Sequence, residues 1–301
     1  MTQDHAWQPE AERLYLAYKP YLTAVAYRLL GAVSDAEDAV QDVFLSLRRQ
    51  PAEPVRDYKA YLGRMVVNHC LNLLKSAKRK REAYFGEWLP EPLVASAEHD
   101  PERSAELADT VSYAFLLLLD RLAPVERAVY VLREAFGFGY DDIAGMLDKT
   151  EVNCRKIYSR ALRKIESCEP AGRARFPSGR EEKLVRRFVA AFRTGAIPDL
   201  MKLLTEDAVF VSDGGGKVRA AVKPIFTRQR VAVILSVLAA NKLRDAEARI
   251  ANVNGGTGLL YVKDGTVLSA FAFDWDARTE ELRRIYTVLN PDKLAHLQPP
   301  D

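Results

Sequence analysis

Two sets of nitrogen donors in this sequence have the residue types and the spacing to hold a nucleic acid. The first is Asn153, Arg155, Lys156 and Arg160, which fall on one side of a helix if Glu151–Ile165 is helical. Amide, ammonium and guanidinium groups so arranged can donate to base edges and phosphates in a major groove. Arg155 and Lys156 stand near the start of that helix, where recognition helices touch bases. The second set is Arg64, Asn68, Asn72 and Lys75, which step by four and three residues along one helical face. It runs directly into Lys78, Arg79, Lys80 and Arg81, with Tyr58 and Tyr61 nearby. Such a face can follow a phosphate backbone and hydrogen-bond unpaired bases.

The elements that must position these donors read as helices. In Tyr140–Leu147 an apolar stripe of Ile143, Ala144 and Leu147 precedes a break at Asp148-Lys149-Thr150. Val152, Cys154, Ile157, Tyr158 and Ala161 can face that stripe from the second helix. This is the pattern of a helix-turn-helix, and a helical hairpin with a solvated basic face shares it. Many such turns place Gly at the break for a left-handed conformation, which Asp148 tolerates better than most residues. Upstream, residues 11–81 show three- and four-residue apolar spacing: Leu14, Tyr18, Tyr21, Leu22, Val25 and Leu29, then Ala36, Ala39, Val40, Val43, Phe44 and Leu47, then Leu62, Met65, Val66, Cys70 and Leu73. Ser34 or Asp35 is the expected cap of the second of these helices, and short loops make the set a bundle.

The 301-residue length suits two or three compact units, each with its own core. No apolar run approaches the ~18 residues that suggest a membrane span, and the first ten residues have no leader pattern, so a soluble cytoplasmic protein is expected. Residues 1–176 hold 25 Lys/Arg against 26 Asp/Glu, so local clusters and not overall basicity must carry any nucleic-acid contact. The acidic charge lies apart, at Asp35–Asp42 and Glu98–Asp109. Segregation of this kind suits a protein that meets DNA on one side and another protein on the other. Cys70, Cys154 and Cys168 have no metal-ligand spacing and read as reduced.

Residues 84–108 change character, with Trp88-Leu89-Pro90-Glu91-Pro92-Leu93 followed by an acidic stretch. Two prolines in three residues favour an extended linker. Helical periodicity returns from Leu107 to Leu119, and Pro124 is placed to start the next helix. Beyond Pro170–Gly179 comes a helix over Arg180–Thr194 and then β-rich runs such as Ala208–Val211 and Leu268–Phe273, with Asn254-Gly255 and Asp264-Gly265 as hairpin turns. An apolar helix over Pro224–Leu238 is expected across the sheet. Gly214, Gly215 and Gly216 allow a backbone path closed to other residues, with Lys217 adding charge; a plain glycine-rich loop reads the same way. Catalysis is not expected. The only histidine after residue 99 is His296, and Asp207, Asp213, Asp274 and Asp276 have no second catalytic group beside them in sequence.

Taken together, these segments resemble the extracytoplasmic-function sigma factors. The resemblance implies that Asp35, Glu37, Asp38, Gln41 and Asp42 grip RNA polymerase, through a helix whose other face packs the bundle. It implies that Tyr61–Arg81 recognises and opens the −10 promoter element, with Asn68 at a recurrent Asn and Asn72 in place of a common Asp. Residues 107–165 would read the −35 element through Asn153, Arg155, Lys156 and Arg160. The second half is similar to SnoaL-like domains, the cone-shaped α+β fold of nuclear transport factor 2. Sigma factors with this extension carry three motifs, matched here by Trp88–Leu93, Asp213-Gly214-Gly215-Gly216-Lys217 and Asn290-Pro291-Asp292-Lys293-Leu294.

The expected organisation is therefore multidomain: two all-α DNA-binding domains, a helical bundle over 8–83 and a helix-turn-helix over 109–170, joined by a linker over 84–108. An α+β SnoaL-like domain over 177–298 follows. Core RNA polymerase and promoter DNA are the expected partners, with no membrane, no cofactor, no metal and no separate anti-sigma factor required; a small-molecule ligand of the C-terminal domain is left open. That domain is expected to dock on the N-terminal half and modulate it, with the three motifs near the contact. A one-component repressor would share the helix-turn-helix, but it has no need of residues 12–81.

Overall fold

The computed structural model describes residues 4–47, 55, 57–82, 84–94, 112–168, 179–241 and 243–299; the side chains of residues 4–11, 77–82 and 168 lie outside the description. The chain divides into two compact units. One comprises residues 1–82 and 115–169, the other residues 83–114 and 170–301.

The first unit is helical. Helices α1 (Asp4–Leu30), α2 (Val33–Leu47) and α3 (Tyr58–Glu82) form the bundle expected from the apolar spacing. Leu22, Val25, Leu29, Ala36, Ala39, Val40, Leu62, Val66 and Cys70 are all buried between them. Helix α2 starts at Val33 and not after Ser34 or Asp35, because the Ala36 N–H already donates to the Ala32 carbonyl, two or three residues earlier than the capping residues suggested. Burial pushes the Cys70 thiol up to about 12, which leaves it a protonated core residue.

Helices α4 (Tyr113–Asp120), α5 (Pro124–Glu134), α6 (Tyr140–Leu147) and α7 (Glu151–Cys168) follow. Pro124 stands in the first turn of α5, and Glu126 accepts from the Ala123 N–H at 3.1 Å, closing the open end of the helix. The periodicity expected from Leu107 lies outside the described residues as far as Val111.

The second unit is α+β. Helices α8 (Arg180–Thr194), α9 (Ile197–Met201), α10 (Arg228–Ala240) and α11 (Pro291–Leu294) accompany a sheet of β1 (Leu204–Asp213), β2 (Ile225–Phe226), β3 (Glu247–Val253), β4 (Gly256–Lys263), β5 (Thr266–Trp275) and β6 (Leu282–Val288). The strand order is β2-β1-β6-β5-β4-β3, with β1 and β6 parallel and the other neighbours antiparallel. Both hairpin turns fall where the dipeptides placed them. Asn254 and Gly255, and Asp264 and Gly265, all have positive φ, which two-residue hairpins of the primed kind require.

The helix expected over Pro224–Leu238 begins only at Arg228. Ile225 and Phe226 pair with Phe210 and Val209 as an edge strand instead, so the first residues of that apolar run satisfy a sheet.

One face of the sheet meets the helices: Phe210, Leu259, Tyr261, Phe271 and Ile285 share a core with Leu184, Phe188 and Phe192 of α8 and Val231 and Leu235 of α10. Because side chains alternate along a strand, Leu260, Ala270, Ala272, Tyr286 and Val288 point to the opposite face. They are buried as well.

Candidate nucleic-acid interface and linker site

Helices α6 and α7 form the helix-turn-helix. Ile143, Ala144, Met146 and Leu147 bury one side of α6. Cys154, Ala161 and Ile165 bury the matching stripe of α7. Asp148 takes the left-handed conformation the break needs, with φ 52° and ψ 56°. Val152 does not join the core. At 64% exposed it stands two residues before Cys154, some 200° around the helix from the buried stripe, at 100° per residue.

The four donors expected on α7, Asn153, Arg155, Lys156 and Arg160, are all exposed. Arg155 forms an ion pair with Glu151 one turn earlier and lies over the Tyr140 ring at 5.2 Å. An exposed pair of this kind contributes little and exchanges readily for a phosphate. Beside these exposed donors, Tyr158 stacks on Tyr130 with centroids 6.0 Å apart and donates to Glu134 at 2.6 Å, joining α7 to α5. Lys164 and the Ala123 N–H hold the Glu126 carboxyl below its ordinary value despite partial burial, tying α7 to α5.

On α3, Arg64, Asn72 and Lys75 are exposed and Asn68 is half-buried. The side chains of Lys78, Arg79, Lys80 and Arg81 lie outside the described part. The Asn68 amide donates to the Met146 carbonyl of α6 at 3.2 Å, a partner 78 residues away that spacing alone does not reveal. Further contacts join the bundle to the later helices of this unit. Arg127 donates to the Leu29 carbonyl and Asp120, both at 2.7 Å, and Tyr21 meets Phe136 edge-on at 5.2 Å.

On α2, Asp35, Glu37, Asp38, Gln41 and Asp42 are exposed opposite the buried stripe. Asp42 also approaches the His69 ring of α3 at 3.5 Å.

The three motifs, Trp88–Leu93, Asp213–Lys217 and Asn290–Leu294, meet at one site in the second unit. The Asp213 carboxylate at the end of β1, 1% exposed, accepts from the Leu89 N–H at 2.9 Å, the Tyr84 hydroxyl at 2.6 Å, the Gly215 N–H at 2.9 Å and the Lys293 ammonium at 2.7 Å. Lys293, 6% exposed, also donates to the Leu89 carbonyl at 2.5 Å and lies 4.2 Å from the centroid of the Trp88 ring. The charge of Asp213 is therefore paired inside the fold, as a buried carboxylate must be.

Asn290 caps α11 by accepting from the Asp292 N–H at 3.1 Å, and its amide donates to the Tyr84 hydroxyl at 3.0 Å. Burial and the neighbouring Asp213 raise the Tyr84 phenol above its ordinary value. Lys217 pairs with Asp292 at the surface.

Gly215 has φ +60° and a Cβ there would stand 2.2 Å from the Asn290 amide nitrogen; at Gly214 it would stand 2.2 Å from the Val218 carbonyl. The glycines let this loop close on the other two motifs.

The rest of the extended strap over residues 84–94 is held by groups that local sequence did not mark. Asn254 exchanges two hydrogen bonds with the Leu93 backbone, at 2.8 and 3.0 Å, and Val94 bridges to Val253 of β3. His296 meets the Pro92 carbonyl at 2.9 Å, and the Tyr113 hydroxyl donates to the Pro90 carbonyl at 2.7 Å. The Tyr113 ring lies 5.7 Å from that of Tyr286, on the sheet face turned away from the helices. Leu89 is almost fully buried. Glu91, Pro90 and Pro92 complete the extended run. Tyr84 belongs to no recognisable motif, Asn254 reads as a turn residue and His296 as part of a tail; only contact across the fold gives them this role.

Of the aspartates available for catalysis, Asp207 is exposed, Asp213 is committed to Lys293, Asp274 pairs with Arg283 at 2.9 Å, and Asp276 caps a turn through the Arg278 and Thr279 N–H groups. No helix among the described residues is long and apolar enough to cross a membrane.

Comparison with known proteins agrees with this geometry. Residues 14–80 match the Sigma-70 region 2 family and residues 112–165 match Sigma-70, region 4. The chain is 35% identical over 210 residues to the ECF RNA polymerase sigma factor SigJ of Mycobacterium tuberculosis, covering 69% of this chain and 67% of that protein. It is 33% identical over 190 residues to the probable ECF RNA polymerase sigma factor SigI of the same species, covering 62% and 64%. The crystal structure of the M. tuberculosis SigJ superposes with a TM-score of 0.71 at 28% identity, over 93% of this chain and 96% of that one.

Proposed function

The chain belongs to the extracytoplasmic-function sigma factors, initiation factors that bind core RNA polymerase and direct promoter-specific transcription; from that premise we propose that its SnoaL-like unit controls the factor by holding the linker. The observation that carries this reading is the convergence of Trp88–Leu93, Asp213–Lys217 and Asn290–Leu294 on one buried ion pair. A linker pinned at Leu89, Pro90 and Leu93 is not free to take the path through the polymerase that joins the two promoter-reading elements.

In this reading α2 meets the polymerase through Asp35, Glu37, Asp38, Gln41 and Asp42. Helix α3 opens the −10 element through Arg64, Asn68, Asn72, Lys75 and the basic run Lys78–Arg81, and α7 reads the −35 element through Asn153, Arg155, Lys156 and Arg160. Asn68 must leave the Met146 carbonyl before it can meet a base, so engagement of the −10 element is coupled to opening of the helical unit. Polymerase and promoter together supply the differential affinity for the open state. The factor acts in the cytoplasm, and a built-in regulator removes the need for a separate anti-sigma factor.

Run-off transcription with core polymerase tests both levels. A chain that binds promoter DNA but never initiates with core enzyme sinks the sigma reading itself. Gly215→Val, whose side chain collides with Asn290, should change promoter output in the full chain. Wild-type output from that variant, and from a chain ending near residue 170, dismisses the regulatory role alone.

A further inference from the structure

Residues 214–244 contain seven Lys/Arg and no Asp/Glu, a charge asymmetry found nowhere else in the sequence over such a length. The structure folds this stretch into a surface with an unusual second property. Helix α10 buries Val231, Ala232, Leu235 and Leu238 against the sheet, yet its outer side is apolar too, with Val233 48% and Val237 47% exposed. A helix apolar on both sides wants cover on both.

Phe226, 57% exposed, adds to the outer patch. Pro224, Ile225, Phe226, Gln229, Arg230, Val233, Ile234 and Val237 line a groove of about 570 Å³. Thr227, a β-branched residue, has φ +80° at the head of α10, a conformation L residues avoid and one that recurs at ligand clamps.

Lys217 and Arg228 have carboxylate partners, in Asp292 and Glu206. Arg219, Lys223 and Arg230 have no ion pair among the described residues, and Arg230 lines the groove itself. An apolar groove with Arg230 in its lining, and Lys223 one residue before the lining Pro224, disfavours a symmetric contact with a second copy, which would set like charges face to face. It fits a helix that inserts apolar side chains at i, i+4 and i+7 and carries carboxylates along its flanks.

We propose that the α10 groove is a docking site for an acidic amphipathic helix of a partner protein. The groove is distinct from the linker site, since none of its lining residues belongs to the three motifs.

The test uses the full chain and a fluorescein-labelled helical peptide with Leu at i, i+4 and i+7 and glutamates on both flanks. Fluorescence anisotropy should show saturable binding that weakens about tenfold or more in Val233→Asp, in Val237→Ser and in Lys223→Glu/Arg230→Glu, with thermal melts of all variants close to wild type. Binding should also weaken when the peptide's glutamates are replaced by glutamine.

Unchanged affinity in the folded variants overturns the proposal, and equal affinity for the glutamine peptide overturns its acidic part. Three parallel arms decide the rival occupants. Phosphatidylglycerol vesicles or a duplex DNA bound in a Val233-dependent manner where the peptide is not, or a dimer seen by light scattering that Val233→Asp dissolves, would each replace the helical partner.

Discussion

Replacing Lys293 by Met removes the ammonium and keeps most of the apolar stem, so the perturbation falls on the charge beneath the strap. The Asp213 side chain is fully buried and that of Lys293 is 8% exposed, so solvent does not screen what is lost. Removing one member of such a pair costs about 3–5 kcal/mol, because the other charge is left unpaired in the interior. Asp213 keeps three donors, from Tyr84, Leu89 and Gly215, which places the expected cost at the lower end, about 3 kcal/mol. At ~1.4 kcal/mol per tenfold, this raises the population of the released strap roughly a hundredfold. Amide hydrogen exchange measured residue by residue reads it directly. The Leu89 N–H, which donates to Asp213, and the Leu93 N–H, which donates to Asn254, should exchange about a hundred times faster, while amides of β5 stay protected. Adding Asp213→Asn should recover part of the loss, as a double-mutant cycle requires of coupled charges. If Leu89 and Leu93 exchange at the wild-type rate, or only in step with β5, the ion pair does not hold the strap and the reasoning fails.

Asp148→Gly should stabilise the helix-turn-helix by about 0.5 kcal/mol, since glycine reaches φ 52° without a side chain to accommodate; a lower midpoint in urea would contradict the assignment of strain there. Lys156→Ala should weaken binding to a −35 duplex and lower the slope of log affinity against log salt by about one; an unchanged slope places Lys156 away from the phosphates. Burial raises the phenols of Tyr84, Tyr261 and Tyr286, the last to about 12, so the folded chain holds these protons more tightly than the unfolded one. The stability they contribute is complete below about pH 10 and is lost as pH rises through the raised values. Thermal melts followed with tyrosinate absorbance should show that loss, and a melting temperature flat across this window would refute it.

Much of this was legible in local pattern, for definite reasons. Three- and four-residue apolar spacing marks α1, α2, α3, α6 and α7 because each helix buries one stripe, and Asn254-Gly255 and Asp264-Gly265 mark their turns because few dipeptides tolerate positive φ twice. Errors arose where two local signals competed. Val152 looks like part of the α7 stripe but lies out of phase with Cys154, and Pro224–Phe226 looks like the start of a helix but finds a sheet edge. What sequence could not show was which motif meets which. Tyr84 and Asn290 are 206 residues apart, Leu89 and Asp213 are 124 apart, and Asn68 reaches a backbone carbonyl, which every residue offers equally.

The second unit is held together on one side of its sheet by its own helices, and at its strand ends by a stretch of chain that precedes the sheet by more than a hundred residues. The boundary at which the sequence changes character, near Pro170, is therefore not the boundary of the piece that folds. A gene segment starting there would encode a unit whose Asp213–Lys293 pair lacks its Leu89 partners and whose Tyr286 ring lacks that of Tyr113. Recombination cannot transplant such a regulator to another factor unless the recipient already carries the matching linker. The Trp88–Leu93 run and the C-terminal half are bound to be inherited together, and a change in one can be tolerated only as far as the other permits.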